Sequence, residues 1–335
     1  MPFFNVTSQG GGNGIIGGRN PRFQRPFLTP RFQRPFLTRQ VITRGYLAAG
    51  YKDSVPWRNV NSILHSTDTS TNHGDLLGSQ GGYVGGNHNA NKQFVWGTGS
   101  SLASFNNASH FNMRTNTGLA DFTMPQTMGD CEGIQDNDPQ TGTSRFAWIT
   151  GNATNISKFN MTTESFVGSL STSAQQGGTG LAQHIGDLWG YWWGDAAESS
   201  AADRRKFVFA TETESTAAGN VGFHGQQKGT STKLGKGYAG NQGSYNGGNQ
   251  FRIWNYATES ISSVVAKPIG DSGEENLDSG QAHSYMMGMY TGAGQNNRAW
   301  RLNYATDSGF EGGGSMQPSG PGIAGRSSGQ MAWRD

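Results

Sequence analysis

The chain has 335 residues, of which 52 are glycine and one is cysteine; 14% are charged and the formal net charge is +2. A single cysteine excludes an internal disulfide framework and the cysteine-rich zinc ribbons, and glycine at about twice its usual share of roughly 7% excludes a body built on long helices. No stretch approaches the roughly 18 apolar residues of a membrane-spanning helix, and the opening MPFFNVTSQGGG lacks the basic and apolar regions of a secretory signal, so folding in a cytoplasm is expected.

Residues 1–44 hold seven arginines, no lysine and no acid, which leaves 18 Lys and Arg against 23 acids over residues 45–335. An arginine arm and an acidic body are separate electrostatic objects. Gly12-Asn-Gly14-Ile-Ile-Gly17 fits G-x-G-x-x-G, but no strand precedes it and Arg19-Asn-Pro21 follows where a phosphate-binding helix would start, so no nucleotide is expected there. Pro21-Arg-Phe-Gln-Arg-Pro-Phe-Leu-Thr29 then recurs unchanged as Pro30 to Thr38. Its prolines remove amide donors and push the preceding residues to extended geometry, so neither copy is helix or central strand. Arg22, Phe23, Arg25 and Phe27, repeated as Arg31, Phe32, Arg34 and Phe36, are the partner-binding candidates: phenyl rings for apolar pockets and guanidinium groups for paired carboxylates, twice over for two equivalent sites on symmetric subunits. A linker role and a nucleic-acid contact are the competing readings of the same residues; nucleic acid is the least favoured.

The body, residues 45–335, repeats at a period near 50 residues. Short apolar runs such as Gln93 to Trp96, Arg145 to Ile149, Phe207 to Ala210 and Phe251 to Trp254 sit between Gly, Asn, Ser and Thr clusters, an all-β pattern. A glycine-rich strand leads to an aromatic strand in Gly45 to Trp57, Gly82 to Trp96, Gly237 to Trp254, Ser284 to Trp300 and Gly322 to Trp333, with less regular members ending at Trp148 and Phe207. Phe209-Ala-Thr-Glu, Tyr256-Ala-Thr-Glu-Ser260 and Tyr304-Ala-Thr-Asp-Ser308 occupy equivalent places in their repeats. Seven aromatic columns predict a single β-propeller of about seven Kelch-like blades, each small sheet burying its faces against its neighbours, with a β-sandwich or irregular meander as the alternative.

Arg44-Gly-Tyr-Leu-Ala-Ala-Gly-Tyr-Lys-Asp-Ser-Val-Pro-Trp-Arg-Asn-Val-Asn61, followed by His65-Ser-Thr-Asp-Thr-Ser-Thr-Asn-His-Gly-Asp75, resembles the opening of a family of virion structural proteins of tailed marine cyanophages. The close resemblance covers residues 44–100 and the looser repeat pattern runs on to the end. It implies a particle-associated role in neck, tail or fibre, other virion proteins as partners in a symmetric multi-copy assembly, and no catalytic residue. The duplicated Arg/Phe peptide is not part of that resemblance.

The remaining motifs have structural readings. His65, Asp68, His73 and Asp75 offer metal-ligand chemistry within eleven residues, yet in a polar loop they are better read as turn caps. Asp136, Asn137 and Asp138 lack the glycine and distal glutamate of a calcium loop. Gly229 to Gly237 has the wrong spacing for a phosphate loop. In Leu188-Trp-Gly-Tyr-Trp-Trp-Gly194, alternation places Trp189, Tyr191 and Trp193 on one face and Leu188 and Trp192 on the other; burial of both faces is the favoured reading and sugar stacking by Trp189, Tyr191 and Trp193 the alternative. Scattered acids such as Glu132, Asp187 and Glu212 form no recognisable catalytic pair. Taken with that resemblance, which implies the phage particle, the sequence leads to the expectation of a non-enzymatic phage structural protein located in the virion, without metal, cofactor or membrane, anchored through its arm. The alternative is a host-glycan-binding module of the phage tail.

Overall fold

A computed structural model describes residues 42–52, 55–75, 81–89, 91–98, 105–128, 131–136, 145–151, 155–171, 179–182, 188–193, 204–216, 228–231, 235–240, 250–266, 276–277, 283–291, 294–315 and 331–334. The chain divides into a leading segment, Met1–Gln40, and a body, Val41–Asp335. The partner-binding candidates from Arg22 to Phe36 lie outside the described residues. The first strand begins at Ile42, inside the stretch that composition assigns to the arm.

The described residues of the body are all-β and fall into antiparallel four-stranded sets of adjacent strands. Set 1 holds β1 (Ile42–Lys52), β2 (Val55–Leu64) and β3 (Thr69–Asp75). Set 2 is β4 (Gly81–His88), β5 (Lys92–Thr98), β6 (Phe105–Asn112) and β7 (Thr117–Met128), and set 3 is β8 (Glu132–Gln135), β9 (Phe146–Thr150), β10 (Asn155–Asn160) and β11 (Ser165–Ser171). Set 4 is β12 (Thr179–Ala182), β13 (Trp189–Trp193), β14 (Arg204–Val208) and β15 (Thr213–Thr216); set 5 is β16 (Lys228–Ser231), β17 (Lys236–Gly240), β18 (Gln250–Asn255) and β19 (Ser260–Ala266). Set 6 is β20 (Asn276–Leu277), β21 (His283–Thr291), β22 (Gly294–Asn303) and β23 (Ser308–Ser315). The last strand, β24 (Met331–Arg334), returns to pair with β1 in the register Ile42↔Arg334 to Tyr46↔Met331, which gives set 1 its fourth strand.

This pairing corrects the count of seven columns. Trp57 on β2 and Trp333 on β24 belong to one set, so seven aromatic positions map onto six sets. Nor are the columns structurally equivalent: Trp96 and Trp148 stand on the second strand of their sets, whereas Phe207, Trp254 and Trp300 stand on the third.

The dependable repeat is the turn between third and fourth strands. Residues 65–68, 113–116, 161–164, 209–212, 256–259 and 304–307 form four-residue turns, each ending on a non-glycine residue of positive φ: Asp68, Asn116, Glu164, Glu212, Glu259 and Asp307, at +48° to +57°. Their numbers advance by 48 at every step except the one from Glu212 to Glu259, which is 47. Local chemistry builds the turn. Asn112, Asn160, Asn255 and Asn303 accept hydrogen bonds on Oδ1 from the amide two residues on, at 2.9 Å in all four cases, a side-chain mimic of a backbone turn. The residue before each left-handed position is threonine, and its hydroxyl pairs with that of the Thr or Ser opening the next strand, from Thr67–Thr69 through to Thr306–Ser308.

The core lies between neighbouring sets. Tyr46, Ala48 and Val60 of set 1 cluster with Val95, Phe111 and Met113 of set 2. Phe94, Trp96 and Ala108 cluster with Ala147, Ile149 and Phe159 of set 3, and Ile134, Trp148 and Ile156 with Trp192, Phe207 and Phe209 of set 4. A single four-stranded sheet cannot bury both its faces alone, and through these clusters sets 2 and 3 each take a neighbour on either side. Trp148 stacks on Phe209 at 4.7 Å and meets Phe207 at 5.4 Å; such pairs contribute about 0.5–1.5 kcal/mol each beyond the area they bury.

Candidate functional site

A left-handed backbone costs a non-glycine residue about 1–2 kcal/mol, so five acids at these positions call for a compensating interaction. Each acid reaches a cation on the set before it. Glu164 binds Lys92, Glu212 binds Lys158 and Glu259 binds Lys206. Asp307 lies 2.7 Å from Lys236 Nζ. Asp68 of set 1 takes both bonds of Arg301 Nη1 from set 6, at 3.0 and 3.1 Å, so the last set is tied to the first. β23 also lies against β3.

Phenols reinforce three of these contacts. Tyr191 donates to Glu259 Oε1 at 3.2 Å, Tyr238 to Asp307 Oδ1 at 2.5 Å, and Tyr285 to Asp68. Burial, and then the carboxylate that each phenol faces, pushes all three well above the ordinary tyrosine pKa. Lysine stems and heads also cover aromatic rings: Lys158 Nζ sits 4.2 Å from the centroid of Phe146, and Lys206 Nζ 4.2 Å from that of Trp189.

The boundary between sets 1 and 2 differs. Asn116 replaces the acid; asparagine tolerates the left-handed region best after glycine. The two sets are joined instead through the backbone, by the Trp57↔Gly81 pairing that makes them one eight-stranded sheet, and by Tyr46 Oη donating to the Met113 carbonyl at 3.3 Å. Next to it, Asn87 links sets 2 and 3: its Nδ2 donates to Gln135 Oε1 at 3.2 Å and its Oδ1 accepts from Trp96 Nε1 at 2.8 Å. A Cβ on Gly133 would fall 1.9 Å from Asn87 Oδ1, so only glycine leaves the Asn87 side chain where it is.

The residues singled out by sequence are dispersed among these contacts. Asp68 holds Arg301 and Tyr285, while Asp75 holds Arg58 Nε at 3.0 Å and Asn59 Nδ2 at 2.7 Å. His73 Nε2 lies 2.7 Å from Ser62 Oγ, and the His65 ring packs on His283 and Tyr285. Among the described residues no three His, Cys, Asp or Glu side chains converge as a metal site. Asp136 caps the amides of Arg145 and Phe146 at 2.9 and 2.7 Å, with its carboxyl raised in pKa by burial against the pull of those two bonds. Glu212 belongs to a cross-boundary pair, whereas Asp187 and the side chain of Glu132 lie outside the described residues.

Of the three aromatics considered for sugar stacking, Tyr191 is fully buried against Trp254 and Tyr256 of set 5 and offers no open face. Trp189 is half-buried beneath Lys206, and the side chain of Trp193 lies outside the described residues. Trp192, on the opposite face of β13, is buried against Phe207. No sequence motif marks the cross-boundary pairs, although the recurring Thr-Glu and Thr-Asp tails hold their acids.

No family model and no curated protein matches the chain. Among solved structures, hydrazine synthase of Kuenenia stuttgartiensis is similar over 53% of this chain and 47% of its own, at 10% identity and a TM-score of 0.41. The chain spans about half the length of that neighbour.

Proposed function

We propose that residues 41–335 close as a β-propeller of six blades, one for each four-stranded set, and that the protein is a non-enzymatic structural component of a bacteriophage particle. In this reading it is associated with neck, tail or fibre and held to neighbouring virion proteins by its arginine- and phenylalanine-rich arm. Closure is supported by the chain of contacts from set to set and by the two links that join the ends, β24 on β1 and Arg301 on Asp68. The observation that carries the functional reading is where the charged side chains of the repeats go: they join one sheet to the next, as in a body built to be rigid. The resemblance of residues 44–100 to cyanophage virion proteins supplies the setting, and the seven arginines of residues 1–44 supply a means of attachment.

A protein inventory by mass spectrometry of particles purified from cells that encode the chain tests this reading, together with a variant lacking residues 1–38. The full chain is expected in the particles; the shortened chain is expected to fold and to be left out. Absence of the full chain from particles overturns the virion assignment, and incorporation of the shortened one overturns the anchor. Binding of the purified chain to a host-surface glycan, with no partner among virion proteins, would move the assignment to the receptor module.

A further inference from the structure

Strand register shows which residue of set 1 stands where other sets carry their cation. Lys92 pairs with Asn112 and Lys236 with Asn255, the residues immediately before the turns 113–116 and 256–259. Arg44 pairs with Leu64, immediately before the turn 65–68. Arg44 precedes Asn116 by 72 residues, as Lys92 precedes Glu164 by 72 and Lys236 precedes Asp307 by 71. Two residues after Arg44, buried Tyr46 stands where Tyr238 stands after Lys236, and its hydroxyl reaches the turn 113–116 at the Met113 carbonyl, 3.3 Å away. The boundary between sets 1 and 2 thus has the cation and the phenol of the boundary between sets 5 and 6, without the carboxylate.

Asn116 does not take the carboxylate's place. The five left-handed acids have side chains only 23–30% exposed, laid against the cations they serve, whereas Asn116 is exposed. Nor does another described acid of sets 1 and 2. Asp68 is bonded to Arg301 and Tyr285, Asp75 to Arg58 and Asn59, and Asp121 accepts from Ser109 Oγ at 2.6 Å. Among the described residues no acid pairs with Arg44, which is partly exposed and has His73 as its charged neighbour. Arg114, in the turn itself, is exposed. This is a basic place on a body in which 18 Lys and Arg stand against 23 acids.

We infer that this boundary receives a carboxylate from outside the chain: an Asp or Glu side chain of a neighbouring protein enters between Arg44 and the turn 113–116 and completes the contact that the other boundaries make internally. A guanidinium carried on a paired strand presents its donors as a fixed fork, which suits a carboxylate. Trp57↔Gly81 already joins sets 1 and 2 through the backbone, so the cation here is available for binding rather than cohesion. Any acidic protein partner satisfies this site, whether or not the chain belongs to a phage particle.

The full chain labelled with 15N-arginine reads the site through the Arg44 Nε–H signal, identified as the one lost in Arg44→Lys. The probe is the peptide acetyl-Gly-Glu-Gly-amide, with its glutamine counterpart and inorganic phosphate as comparisons. Expected is a saturable shift of the Arg44 signal, with a midpoint at least about tenfold below that of any other arginine, arm included, and no shift with the glutamine peptide. Asn116→Glu supplies the acid internally: its Arg44 signal should start displaced, and its response to the peptide should weaken about tenfold or more. If that variant does not fold, the wild-type titration decides alone. An Arg44 response no stronger than that of the other arginines, an equal response to the glutamine peptide, tighter binding of phosphate than of the glutamate peptide, or an unaltered response in Asn116→Glu overturns the inference.

Discussion

Replacing Asp307 separates the two demands placed on the left-handed positions. Its backbone sits at φ +50°, its carboxylate accepts from Tyr238 at 2.5 Å and pairs with Lys236 at 2.7 Å, and the Tyr238 ring is fully buried against Tyr304. Asp307→Ala removes the phenol's acceptor, at about 1–3 kcal/mol, and a partly exposed ion pair worth up to about 1 kcal/mol, while keeping a Cβ in the left-handed region; the sum is about 1–4 kcal/mol. Asp307→Gly loses the same contacts but relieves about 1 kcal/mol of backbone strain, net of the freedom glycine adds to the unfolded chain. Asp307→Asn keeps an acceptor for Tyr238 and tolerates the backbone, so it loses roughly the ion pair alone, about 1 kcal/mol. The expected order of destabilisation is Ala, then Gly, then Asn, read as urea midpoints by tryptophan fluorescence and as Tm shifts of roughly 2 °C or more per kcal/mol. A double-mutant cycle with Tyr238→Phe should return a coupling of about 1–3 kcal/mol for the Asp-to-Ala change. A glycine variant as stable as the parent, or a coupling near zero, would show that the acid occupies the turn without holding the boundary.

Gly133→Ala is expected to displace Asn87 and break its bonds to Trp96 and Gln135, at about 1–3 kcal/mol, with a change in tryptophan emission. Asp136→Ala should cost a similar amount, by leaving the amides of Arg145 and Phe146 without their acceptor, whereas Asp136→Asn should stay within about 1 kcal/mol. Because burial raises the carboxyl pKa of Asp136, its favourable contribution falls as pH rises, so the Asn variant should gain on the parent between pH 4 and 7 in denaturant titrations. Tyr191, Tyr238 and Tyr285 hold their protons more tightly folded than unfolded, and the stability they lend is complete below about pH 10 and lost above it. An alkaline titration at 295 nm should show three tyrosines ionising only together with the loss of the far-ultraviolet β signal.

The all-β character and the spacing of the repeat were legible because both depend on local chemistry. An Asx-capped turn with a threonine hydroxyl must be written out in adjacent residues, and the Phe209, Tyr256 and Tyr304 tails show it plainly. The three earlier copies were hidden because their leading residue, His65, Met113 or Met161, has only to fill a buried space. The aromatic columns misled for a related reason: a large ring fills the gap between two sheets equally well from the second strand, as Trp148 does, or from the third, as Phe207 does. Cross-boundary pairs were illegible because the cation has no fixed place. It comes from the start of the second strand at Lys92 and Lys236, and from the third strand at Lys158, Lys206 and Arg301. Burial of Tyr191 on one face of β13 and of Trp192 on the other follows from strand alternation, while which neighbour covers each face does not.

Arg334 standing opposite Ile42 has a consequence for how the gene could be rearranged. The two ends of the body's backbone meet within one sheet, so a short added bridge from β24 to β1 would leave every strand pairing intact, and fresh termini could be cut between any two sets. Such a circularly permuted chain would carry the six sets in a new linear order with the same neighbours, and the arm could be grafted beside whichever of them is chosen.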